Sequence, residues 1–173
     1  MERIRELVLA ALFDDIARER WQTRWRSYLV ASLLSGLTLG VALLLLGAEG
    51  QVIVASLGAT AFIVLAMPKS RAARTSATIG GQAIGLLCGG LASLVPHEPL
   101  LLASVVNGLA VTCCALAMLA TRYKHPPAAG TALGVSVLGI SFDTFLTVMG
   151  VTVIIAAIRI VVLTVAPDFS ADQ

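Results

Sequence analysis

Met67-Pro68-Lys69-Ser70-Arg71-Ala72-Ala73-Arg74-Thr75 sets three cations between two uncharged apolar runs, Val52 to Met67 and Ser76 to Val95. The side of a membrane on which this stretch lies decides how often the chain crosses, because Lys and Arg accumulate in short cytoplasmic loops. If Val52 to Met67 were a surface loop, the cluster would face outward, against the rule. If it crosses, the cluster joins Arg3, Arg5, Arg18, Arg20, Arg24 and Arg26 on the inner side.

Working outward gives six apolar segments: Tyr28 to Gly47, Val52 to Met67, Ser76 to Val95, Leu100 to Ala120, Ala128 to Phe142 and Thr144 to Val165. Four hold 20 to 22 residues, enough at about 1.5 Å each to cross roughly 30 Å of hydrocarbon. The second and fifth hold only 16 and 15, so each is either a complete thin crossing or a helix ending inside the membrane. With six crossings and the N-terminus inside, Arg122 and Lys124 are also cytoplasmic, making eleven of the twelve basic residues. The twelfth, Arg159, lies within two turns of the inner end of segment six.

Composition agrees. The chain is 58% hydrophobic and 13% charged, with mean hydropathy +0.93, against about 25% charged for a soluble domain. Net charge is only +2, and the cations form no face with interleaved aromatics, which argues against nucleic-acid binding. Cys88, Cys113 and Cys114 all fall in apolar segments without the spacing of a zinc site or disulfide framework, so no metal or other cofactor is expected. Residues 1–27 place Ile4, Leu7, Val8, Ala11 and Leu12 at helical spacing, predicting a cytoplasmic or interfacial amphipathic helix. Trp21, Trp25 and Tyr28 mark the interface where the first crossing begins.

Segments one to three match four to six at an offset of 71 to 72 residues, in a long-short-long pattern that occurs twice. Ala59-Thr60-Ala61 falls opposite Gly130-Thr131-Ala132 at 71. Three crossings per half give halves of opposite orientation, the inverted repeat of many secondary transporters, whose paired short segments point to the substrate site. The expected organisation is therefore an all-α membrane protein: an amphipathic helix over 1–27, a transmembrane domain over 28–166 and a cytoplasmic tail over 167–173. The domain divides into repeats at 28–95 and 100–166, and both termini lie inside a bacterial-type inner membrane.

His125-Pro126-Pro127 opens segment five and runs into Ala128-Ala129-Gly130-Thr131-Ala132-Leu133. Together with Gly58-Ala59-Thr60-Ala61-Phe62, Pro68 and Ile79-Gly80-Gly81, this resembles the HPP family of integral membrane proteins over roughly residues 28 to 166. The sequence departs from that pattern at Gln82, where a His is frequent, and at Thr75-Ser76-Ala77. Some members are implicated in nitrite transport, so the resemblance implies a membrane transporter or channel for a small inorganic anion, nitrite first. The alternative from a different class is a scaffold or signalling subunit acting through helix packing.

Candidate pathway residues are His125, Pro126, Pro127, Gly130, Thr131, Gly58, Thr60 and Arg159. An imidazole at a helix entrance either exchanges protons or is an interfacial polar group. The prolines suit a first helical turn and would leave the next amides free for an anion. Thr60 and Thr131 either donate hydroxyls to substrate or bond within the fold. Arg159 either snorkels to the inner surface or faces an aqueous vestibule. Asn107 needs a partner inside its segment, and Gly85-x-x-x-Gly89 invites close packing or self-association, hence a homo-oligomer. After residue 28 the carboxylates lie outside the segments and the only histidines are His97 and His125, so no catalytic constellation is visible and no enzyme is expected.

Overall fold

The computed structural model describes residues 50–165 and seven helical positions before them, Leu29, Ser32, Leu33, Gly36, Leu37, Gly40 and Leu44. The expected helix over 1–27, most of the first apolar segment and the tail over 167–173 lie outside the described residues. The rest forms α1 Gln51–Ala66, a 3-10 turn Arg71–Ala73, α2 Thr75–Ala92, α3 Leu100–Thr121, α4 Pro127–Leu138 and α5 Phe142–Val165. Every regular element among the described residues is helical, as expected.

Local chemistry sets the ends. Pro68 follows the α1 cap residue Met67, and the Ser70 hydroxyl accepts from the Ala73 amide at 3.2 Å to close the 3-10 turn. Pro127 starts α4, its missing N–H costing nothing in a first turn. Gly139 ends α4 with φ +83, a left-handed conformation suited to glycine. The segment expected over 128 to 142 therefore stops at Leu138. Phe142 already belongs to α5, and Asp143, expected at the corner, lies in the first turn of α5, where a negative charge complements the helix dipole.

Among the described residues two helices are long and apolar enough to cross a membrane, α3 with 22 residues and α5 over Phe142–Thr164. Both turn large apolar side chains outward, among them Leu101, Leu109 and Leu116 on α3 and Ile154, Ile160 and Val161 on α5. At 16 and 12 residues, α1 and α4 reach only about 24 and 18 Å.

The shortest helix occupies the middle. Seven residues of α4 are buried, with α1, α2 and α3 all packed around it. Along α2, a Cβ on Gly81 would meet His125 Cβ at 2.6 Å, one on Gly85 the Ala128 carbonyl oxygen at 2.5 Å, and one on Gly89 the Ala132 carbonyl oxygen at 2.5 Å. Both sets of numbers rise together, so α2 and α4 run parallel with their backbones in contact. The Gly85 and Gly89 face is thus used inside the chain, against α4, and is not the self-association surface expected of it.

On the other flank α1 runs antiparallel to α4. Ile53 lies against Gly134, and Ser56 against Gly130. An apolar cluster of Ile53, Leu57, Val64, Val135, Val148 and Ile155 joins α1, α4 and α5. A smaller one of Cys114, Met118, Ala128 and Ala132 joins α3 to α4. Burying such side chains inside the bundle stabilises it mainly through dispersion and shape matching, since lipid tails are as apolar as the core.

Candidate functional site

Where α1, α2 and the start of α4 converge, five polar side chains form one connected chain. Thr60 and Ser56 are one turn apart on the inner face of α1, Ser56 reaching α4 and Thr60 reaching α2 and the connection before α4. Gln82 comes from α2, Thr131 from the second turn of α4, and His125 from the connection preceding it. Thr60, Gln82, His125 and Thr131 have zero exposure.

His125 Nδ1 lies 2.8 Å from the Ala72 carbonyl oxygen. A carbonyl only accepts, so Nδ1 carries the proton and Nε2 is left to face Thr60 Oγ1 at 3.0 Å. Thr60 Oγ1 accepts from Gln82 Nε2 at 2.9 Å, while the Ser56 carbonyl at 2.9 Å also competes for its single proton. Thr131 donates to Gln82 Oε1 at 2.6 Å and touches Ser56 Oγ at 2.7 Å. Ser56 Oγ in turn reaches the Pro127 carbonyl at 2.5 Å. No buried side-chain polar atom among the described residues lacks a partner.

Burial pushes the His125 imidazole below its ordinary value, and the bond to the Ala72 carbonyl acts in the opposite direction. The neutral ring is therefore the ordinary state. The fold also brings cations to this end: Lys69, Arg71 and Arg74 around the 3-10 turn, and Arg122 and Lys124 beside His125. The carboxylates among the described residues are Glu98 and Asp143, at the far ends of α2 and α4.

Of the residues singled out in the sequence, the structure brings His125, Thr60 and Thr131 together and places Gly130 against Ser56, with Cβ space of only 3.2 Å. Pro126 and Pro127 start α4 as expected, with Pro127 buried and its carbonyl accepting from Ser56. The amides after them are not free for an anion. Ala128 N–H bonds the His125 carbonyl at 3.0 Å and Ala129 N–H the Pro126 carbonyl at 3.1 Å. Gly58 is half-buried on α1, away from the polar chain's bonds. Arg159 does not join the cluster either, its Nε donating to the Pro68 carbonyl at 2.9 Å, which ties α5 to the end of α1 at the cationic end of the bundle.

Ser56 and Gln82 were not singled out as site residues. Ser56 was findable as the residue one turn before Thr60 and 71 before Pro127, while Gln82 stood out only as a departure from a pattern. A second polar group lies at the other end of α4. Asn107 Oδ1 accepts from Ser136 Oγ at 2.7 Å and faces His97 Nε2 at 3.2 Å, the partner its amide required. A cavity of about 280 Å³ between α2 and α3 is apolar, lined by Cys88, Leu91, Val95, Val106, Leu109 and Cys113 among others. Among the described residues no three His, Cys, Asp or Glu side chains gather in a way that could hold a metal ion.

A family model described as the HPP transmembrane region matches residues 16–169. The chain belongs to the HPP family. Its name-giving tripeptide is His125-Pro126-Pro127, which in this HPP protein supplies the imidazole end of the polar chain and the start of the central helix. Neither the curated proteins nor the solved structures contain a match. Family membership and two apolar spanning helices make this a membrane protein.

Proposed function

We propose that this HPP protein is a transporter or channel for a small inorganic anion, with nitrite the first substrate to test, and that Ser56, Thr60, Gln82, His125 and Thr131 form the binding station. One observation carries the reading. The two short helices cross in opposite directions at the polar chain, where Ser56 bonds Pro127, 71 positions on, and Thr60 and Thr131, also 71 apart, are joined through Gln82. Each of these groups would cost several kcal/mol in hydrocarbon without a partner, and here each is held by another across an element boundary, in contacts that a small anion could take over.

The six crossings and the inverted repeat belong to the same proposal. Supporting them, α1 and α4 are antiparallel, as equivalent helices of opposed halves must be. The described positions before α1 also repeat in α3 at 72. Leu29, Ser32, Leu33, Gly36, Leu37, Gly40 and Leu44 are all exposed, and so are Leu101, Ser104, Val105, Gly108, Leu109, Thr112 and Leu116. Two matching exposed faces with small residues every fourth position also suit assembly into a homo-oligomer. The cationic end of α1, α2, α4 and α5 is then cytoplasmic in a bacterial-type membrane. In this conformation the station is closed. A small anion enters when α4 shifts against α1, exchanging the hydroxyl and amide contacts for contacts of its own.

Uptake into proteoliposomes, above the leak of protein-free vesicles, tests the reading with nitrite, nitrate, formate and chloride in parallel. Saturable uptake of at least one anion, lost in a Thr60→Val, Thr131→Val double variant of unchanged oligomer size, is the expected outcome. No uptake of any of them by well-folded protein would leave the non-transporting scaffold.

A further inference from the structure

His125 holds a proton vacancy built into its contacts. Nδ1–H is fixed by the Ala72 carbonyl, so Nε2 is the only atom of the ring that can gain a proton. It faces Thr60 Oγ1, whose one proton is claimed both by Nε2 and by the Ser56 carbonyl. In the neutral state the hydroxyl serves one of the two. Adding a proton to Nε2 removes the competition, because Nε2–H then donates to Thr60 and Thr60 donates to the Ser56 carbonyl. The rearrangement is the rotation of one hydroxyl, and every contact keeps its heavy-atom position.

What the protonated ring lacks is a counter-charge. The charged groups on the elements packed against it are Lys69, Arg71 and Arg74 around the 3-10 turn and the start of α2, and Arg159 on α5. Arg122 and Lys124 stand on its own connection. All are cations; the one carboxylate among the described residues of these elements, Asp143, stands in the first turn of α5, at the opposite end of that helix from Arg159. An imidazolium buried at zero exposure with no counter-charge is unfavourable alone. An anion in the same cluster meets only the dipoles of Thr60, Gln82 and Thr131 at hydrogen-bond range, so it too gains from a positive charge on the ring. Together the two neutralise each other.

Resting on the anion reading above, we propose that the station binds a monovalent anion and a proton together, the proton coming from bulk water to His125 Nε2, so that the protein moves both in one direction with no net charge. Binding linkage is reciprocal, so an anion that strengthens proton binding is itself strengthened by the proton to the same factor.

The chain holds two histidines, so ¹⁵N-imidazole spectra in nanodiscs contain two ring systems, told apart with His97→Gln. Titrating pH with and without nitrite, and with chloride as control, should raise the His125 pKa by about one unit or more in saturating nitrite, equivalent to about tenfold tighter anion binding by the protonated form. In proteoliposomes, nitrite uptake should acidify a trapped pH dye one proton per anion and ignore a potassium-valinomycin potential. His125→Gln should make any remaining uptake potential-driven and independent of pH. Potential-driven nitrite uptake without proton movement in the unaltered protein, or a His125 pKa that nitrite leaves in place while uptake proceeds, overturns proton coupling and spares the anion reading. Absence of both uptake and pKa shift overturns the two together.

Discussion

Helices α3 and α4 are both uncharged and apolar in sequence, yet the structure uses them in opposite ways. Helix α3 has 22 residues, of which only Val106, Ala110, Cys114 and Met118 are buried within the chain. Its polar side chains mostly bond their own backbone: Ser104, Thr112 and Thr121 each donate to the carbonyl four residues earlier. Helix α4 has 12 residues, lies in the middle of the bundle, and sends Thr131 and Ser136 to other helices. Length and apolarity therefore separate the lipid-facing wall from the interior only when read together with where the hydroxyls go.

The sharpest way to break this contrast is a methyl group. Gly85→Ala forces a Cβ to 2.5 Å from the backbone oxygen of Ala128, and a backbone neighbour cannot yield as a flexible side chain would. The loss should be about 3 kcal/mol, with reduced yield of folded protein. Gly108→Ala on α3 meets nothing within 4 Å in its own chain and, in monomeric protein, should be neutral or stabilising by up to about 1 kcal/mol from helix propensity. Thermal unfolding in one detergent measures both, and equal effects would dissolve the distinction.

A smaller contrast comes from removing a hydroxyl at constant volume. Thr131→Val strands Gln82 Oε1 without its donor and should cost about 1–3 kcal/mol. Thr112→Val, which loses only a bond to its own helix, should stay within about 0.5 kcal/mol.

The smallest effect separates the imidazole end of α4 from α3, which carries no such group. Because burial lowers the pKa of His125 from an unfolded value near 6.5, the folded state prefers the neutral ring. Its contribution is complete above pH 6.5 and is lost as pH falls below that value toward the folded pKa, by up to about 1.4 kcal/mol per pH unit. His125→Gln should flatten that part of the stability profile, and an unchanged slope would show that the ring titrates normally.

Much of this was legible in the residues. The cation cluster at 67–75 and the uncharged runs gave an all-helical chain, and the 71-residue spacing of Thr60 and Thr131 named two members of a cluster that the fold does assemble. Other features were hidden for physical reasons. The end of α4 was placed four residues late because hydropathy continues through Ile140 to Phe142, while the interruption is a backbone angle at Gly139. Free amides after Pro127 were expected from the generic helix start, whereas a tight first turn satisfies two of them locally. Ser56 and Gln82 carry no charge and no unusual spacing on their own, so only the partner across a helix boundary gives them meaning. The glycines at 85 and 89 told of close packing without saying against what.

That glycine seam has a mechanical consequence. Where Ala128 and Ala132 present their carbonyls directly to α2, backbone meets backbone and the Thr131–Gln82 bond ties the two helices further, so α2 and α4 behave as one lever. Any opening of the polar chain then has to come from the other flank, where Ile53 and Ser56 side chains form the bearing between α1 and that lever.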